Sequence, residues 1–143
     1  MSIIDKLSES EKTLKVYSVD NNGKQFIVYE VRFSNNKGIA KSSLEFIKKD
    51  FVKYKNVVII FNAKYIDSST TFAKSLYTDL KEYRNVFFDK RVYKFAVIVK
   101  GFVKHRMVIG AFDLLFQDSK ESIKKFNYFS NQKKDDILKW LLT

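Results

Sequence analysis

Leu44, Ile47, Phe51 and Tyr54 recur at spacings of three, four and three. That rhythm places all four on one side of a helix across residues 42–55. Lys48, Lys49, Lys53 and Lys55 take much of the other side. The segments on either side follow a shorter period. Residues 57–61, V-V-I-I-F, form a continuous apolar run that suits a strand covered on both faces. Upstream, residues 14–19 alternate loosely, D-N-N-G follows at 20–23, and K-Q-F-I-V-Y-E-V-R-F at 24–33 divides its apolar side chains between two faces. Asn-Gly between two such runs predicts a β-hairpin.

The pattern continues past the run at 57–61. Residues 67–71 carry helix-cap chemistry, and Phe72, Leu76 and Leu80 then repeat every four positions, with Ala73, Tyr77 and Tyr83 alongside. Residues 93–99 read as another covered strand, and Gly101 marks the turn out of it. Residues 102–116 suit a helix by their length, and 123–129 a short strand. Ser130 or Asn131 then caps a last helix containing Ile137, Leu138, Trp140 and Leu141, with Asp135 and Asp136 in its first turns. The order is β-β-α-β-α-β-α-β-α. It predicts one α/β domain across 13–143: a mixed sheet of about five strands, opened by an N-terminal β-hairpin, with about four helices. Residues 1–12 read as a tail or short helix.

Composition changes this picture in two ways. The formal net charge is +11, which invites an anionic partner such as nucleic acid, an anionic membrane surface or an acidic protein. Nearly all the cations are Lys spread along the chain, and the four Arg (Arg32, Arg84, Arg91 and Arg106) do not cluster. Nucleic-acid sites favour grouped Arg with exposed aromatics, so nucleic acid is the disfavoured partner. Second, there is no Cys, hence no disulfide frame, thiolate metal site or cysteine nucleophile. No window approaches the ~18–20 apolar residues of a membrane span. The first residues are too charged for a signal peptide. The expectation is a cytoplasmic protein.

The segment V-V-I-I-F-N-A-K-Y-I-D-S-S-T resembles the centre of the STAS fold (sulfate transporter and anti-sigma-factor antagonist). There, an apolar strand leads to a hydrophobic-Asp-Ser-Ser-Gly turn and a helix. Downstream, K-F-A-V-I-V, H-R-M-V-I-G-A-F-D-L-L-F and F-N-Y-F-S-N-Q-K-K-D-D-I-L-K-W-L resemble the STAS-like branch grouped with CRAL-TRIO lipid-transfer folds. The resemblance spans residues 14–142. It implies a STAS-like domain that regulates by binding another protein. Its CRAL-TRIO side implies a lipid or small apolar ligand as the alternative. It also implies that Ser68, directly after the motif Asp, is the residue phosphorylated in such a switch, with Ser69 as second choice. A strand-to-helix turn can hold an anionic group at free N–H groups and the positive end of the dipole. Phosphate there would add about −1.5 to −2 charges. One departure is plain: Thr70 stands where the family has Gly, and a β-branched residue is poor where positive φ is required. The simpler reading makes Asp67, Ser68 or Ser69 the cap of a helix beginning near Thr70.

Nothing assembles a catalytic constellation, so no enzyme, cofactor or metal is expected. The single His, His105, lies in K-H-R among cations and reads as a solvated helical residue. Asp20, Glu30 and Arg32 have no metal-site spacing, and Asp135-Asp136 suits a helix dipole better than a metal. A metal-dependent nuclease is the reading left least supported. The 102–116 helix is more apolar than one packed face requires. Either it packs on both the sheet and a neighbouring helix, or its surplus face meets a protein partner, a second copy or lipid. The expected interaction surface comprises Asp67, Thr70 and Thr71 with Phe102, Lys104, His105, Arg106 and Met107.

Overall fold

The computed structural model describes residues 14–32, 39–63, 70–99, 106–116, 126–130 and 134–143. The hairpin forms where Asn22-Gly23 places it. β1 (Leu14–Asn21) and β2 (Lys24–Arg32) pair antiparallel, with Asn21 opposite Lys24. Asn22 and Gly23 have φ of 53° and 80°. Two successive positive φ values belong to a type I′ turn, whose twist matches the strands it joins.

α1 (Ile39–Asp50) tightens into a 3-10 turn, Phe51–Lys53. The helix expected to reach residue 55 therefore stops early: Tyr54 is extended, with φ −123° and ψ 159°. Lys48 and Lys49 occupy the last turn of α1, where cations complement the helix dipole. β3 (Val57–Asn62), α2 (Thr70–Glu82), α3 (Arg84–Phe87) and β4 (Val92–Val99) follow. The chain continues through α4 (Arg106–Phe116), β5 (Phe126–Ser130) and α5 (Lys134–Leu141). The one-turn α3 has no counterpart in the sequence reading. Ser130, weighed as a cap, is the last residue of β5; Asn131 and residues 1–12 lie outside the described residues.

The five strands lie in the order β1-β2-β3-β4-β5. β1 is antiparallel to β2, and the other pairs are parallel. The chain thus steps one way across the sheet. Crossovers of one hand then place every connecting helix on the same face. The packing agrees: Leu44 and Ile47 of α1, Leu76 and Leu80 of α2, Phe87 of α3 and Phe112 of α4 join Tyr29, Ile59, Phe61, Phe95 and Val97 in one core. Its centre is aromatic. The Phe87 ring lies 5.4 Å from Phe61, 5.3 Å from Phe95 and 5.2 Å from Phe116.

α5 covers the opposite face. Ile137 and Leu141 pack on Phe26, Val28, Val58, Ile60 and Ala96. The strands also reach carbonyls at the end of this helix, where the last groups have no intrahelical donor. Lys94 Nζ donates to the Trp140 carbonyl at 2.9 Å and lies 4.6 Å from the Trp140 ring centre. Asn21 Nδ2 donates to the Leu142 carbonyl at 3.0 Å. Burial pushes the Lys94 ammonium below its ordinary range. Among the described residues, no helix is long and apolar enough to cross a membrane.

Candidate functional site

β3 and β4 are neighbours, so their connections leave from adjacent points at one end of the sheet. The Ala63 amide donates to the Ile98 carbonyl at 2.8 Å there. Asp67, Ser68 and Ser69 follow Ala63, and Phe102, Lys104 and His105 follow Val99; all six lie outside the described residues. What lies beyond them is described. Thr70 and Thr71 open α2, and Arg106 and Met107 open α4. These helices pack along one another, more extensively than α2 packs on α1. The two halves of the expected surface thus lead into one helix pair. Thr70 is the first residue of α2.

α4 divides its apolar side chains between buried and exposed positions. Val108, Ala111, Phe112, Leu115 and Phe116 are buried against the sheet and neighbouring helices. Met107 and Leu114 are not, being 38% and 72% exposed. Gly110 lies between them on the same side of the helix, and a Cβ there would meet nothing within 4 Å. The stripe 107-110-114 follows helical periodicity and is flat and bare at its middle.

α2 supplies the adjoining slope. Glu82 pairs with Lys41 of α1 at 3.7 Å, which fixes the α1 side of α2. Helical periodicity then turns half-buried Tyr77 toward α4 and tilts exposed Lys74 and Lys81 the same way. Neither lysine makes an ion pair with a described residue. The outer α2–α4 face is therefore an apolar strip with exposed cations beside it that pair with no described carboxylate, and Arg106 is exposed at its start.

Tyr29, Tyr128 and Tyr83 are tied to carboxylates around the core. Tyr29, fully buried, donates to Asp50 Oδ2 at 2.6 Å. Tyr128 donates to Asp113 Oδ1 at 2.5 Å, and the same hydroxyl lies 3.1 Å from the Ile109 carbonyl, joining β5 to α4. Tyr83 donates to Glu45, joining the end of α2 to α1. Burial first, then the carboxylate, raises the Tyr29 and Tyr128 hydroxyls well above the ordinary phenol range. The bond to Glu45 pushes Tyr83 up to about 12 from 10.0, while the same bond holds Glu45 below its ordinary range. Because the folded-state Tyr83 pKa is raised, its contribution to stability is complete below about pH 10 and is lost as pH rises through about 12. Glu45 runs the other way: its contribution holds above the ordinary carboxylate range and is lost as pH falls. In an ultraviolet titration, we expect a phenolate step near pH 12 that Tyr83→Phe removes. Tyr29 and Tyr128 should ionise only as the chain unfolds. Ionisation of every tyrosine together near pH 10, with the fold intact, would contradict these pairings.

The acidic residues considered for metal chemistry do not converge. Glu30 and Arg32 share a sheet face, but Asp20 pairs with Gln25 beside the hairpin turn and belongs to the other face. Asp135 and Asp136 are both exposed in the first turn of α5. No group of three or more His, Cys, Asp or Glu among the described residues could hold a metal ion.

No protein-family model matches this chain, and no curated protein does. Among solved structures it is similar to an uncharacterized protein of the DUF3478 family from Shewanella loihica PV-4, described as having a SpoIIAA-like, that is STAS-like, fold. The two are 15% identical over 90% of this chain and 93% of that one, with a TM-score of 0.46.

Proposed function

We propose that this chain is a non-catalytic, regulatory protein-interaction module of STAS type, docking its partner on the outer α2–α4 face. The observation that carries this reading is Leu114, 72% exposed on a helix whose other large apolar side chains, Met107 and Ile109 apart, are buried. Leu114 and Met107 are the apolar anchors; Lys74, Lys81 and Arg106 select for an acidic partner segment. Segment 67–71 leads directly into α2, so a phosphate on Ser68 or Ser69 would add negative charge next to this surface and weaken an acidic partner's hold.

The test is a photocrosslinking amino acid at position 114, compared with one at position 52, in the cells the protein comes from. Val52 is also exposed, at 56%, but lies in the 3-10 turn after α1. The expected result is a discrete adduct with an acidic protein from position 114 and none from position 52. Equal adducts from both positions, or none from either, would overturn the reading.

A further inference from the structure

The opposite end of the sheet carries a second feature, unrelated to the α2–α4 face. A groove of about 410 Å³ lies between the hairpin turn and the segment that follows α1. Gly23, Lys24, Gln25 and Ile27 line one wall; Lys53, Tyr54, Lys55 and Asn56 line the other. A volume of that size is ample for a small ligand. Among the described residues, three lysines line it and no carboxylate does.

The two walls are fixed to each other. The Ile27 amide donates to the Asn56 carbonyl at 2.9 Å, and Asn56 Nδ2 to the Gln25 carbonyl at 3.4 Å. Tyr54 is extended, and Lys53 and Lys55 on either side of it both line the groove. Tyr54 itself packs against the core. Lys24 contributes less, because its ammonium lies over the Phe26 and Tyr93 rings at 5.3 and 5.4 Å.

Lys53 is held from behind. Its Nζ donates to Asp50 Oδ1 at 3.0 Å, and the other oxygen of Asp50 accepts from buried Tyr29. Asp50 is 7% exposed, so it orients the ammonium without itself facing a ligand. One of the three ammonium donors is used, and two remain. Lys55 is exposed and makes no ion pair with a described residue. Gly23 leaves open space where a side chain would stand.

We propose that this groove binds a phosphate monoester, its dianion bridged by the ammonium groups of Lys53 and Lys55. Two cations on one side of a fixed wall match a compact dianion. The volume beyond them leaves room for the organic part of the ligand. The phosphate could belong to a soluble metabolite or to a lipid headgroup.

Backbone amide NMR of the full chain tests the proposal, with AMP, inorganic phosphate and phosphatidylcholine vesicles containing phosphatidic acid as probes. Saturable shifts confined to residues 22–25 and 53–56 are expected with at least one probe. Saturation by AMP assigns a soluble ligand; saturation by the vesicles alone assigns a lipid headgroup. Lys53→Gln with Lys55→Gln should weaken binding about tenfold or more in a chain that stays folded. Lys15→Gln with Lys139→Gln removes equal charge elsewhere and should leave binding as it was. Shifts that never saturate with any probe, or equal weakening by both double variants, would overturn the site.

Discussion

Phe87→Ala should lower stability by about 3–5 kcal/mol, a large share of the total for a domain of this size. Phe87 is fully buried and stands at the junction of three other rings, Phe61, Phe95 and Phe116, each within 5.4 Å between centroids. Truncation removes the transfer free energy of the ring and leaves a cavity whose walls belong to β3, β4 and α4. These are packed elements, so collapse around the void is limited. Each ring pair also contributes about 0.5–1.5 kcal/mol beyond its buried area. The melting temperature should fall by about 10 °C or more. Urea unfolding is the check, with the slope unchanged and the midpoint lowered. Val52→Ala, at an exposed position, should change stability by no more than about 0.5 kcal/mol. A loss below about 1 kcal/mol for Phe87→Ala would mean that the aromatic centre is not packed as described.

Leu114→Asp should have the reverse profile. Leu114 touches solvent over most of its surface, so its loss should leave the unfolding midpoint within about 0.5 kcal/mol of the parent. On the docking surface the same change removes an apolar anchor and places a carboxylate before an acidic partner. Anchors of this kind are worth about 2 kcal/mol or more, so affinity for the crosslinked partner should fall at least about thirtyfold. Phe112→Asp, two residues earlier, should instead unfold the domain, because Phe112 is fully buried. Titration of the purified partner, alongside urea unfolding of both variants, separates the two effects. Retained affinity in a folded Leu114→Asp variant would remove Leu114 from the interface.

Local signals predict local structure well in this chain. Asn22-Gly23 marks a type I′ hairpin because few other residue pairs accept two positive φ values. The V-V-I-I-F run at 57–61 marks a strand covered on both faces, and all five of its residues are buried. The end of α1 was less legible: Phe51 and Tyr54 continue the helical spacing, yet the chain must turn extended at Tyr54 to enter β3. The short α3 was missed because one turn is too brief for periodicity to register. The apolar surplus of segment 102–116 is visible, but which side chains it leaves outside depends on α2; among the described residues of α4, Met107 and Leu114 are the exposed large apolar ones. The groove gave no sequence signal. It needs Lys24 and Lys55, thirty-one positions apart, brought together by β2–β3 pairing. The tyrosine–carboxylate pairs are equally nonlocal, since Tyr29 and Asp50 meet only when α1 packs on the sheet.

The most direct measurement is amide hydrogen exchange of the chain with and without the crosslinked partner. Docking on the α2–α4 face should slow exchange in the exposed turns of Thr70–Glu82 and Arg106–Phe116 while leaving the hairpin and α5 unchanged. Protection centred on the hairpin, on α5 or on the 3-10 turn, with α2 and α4 unaffected, would contradict the docking surface proposed here.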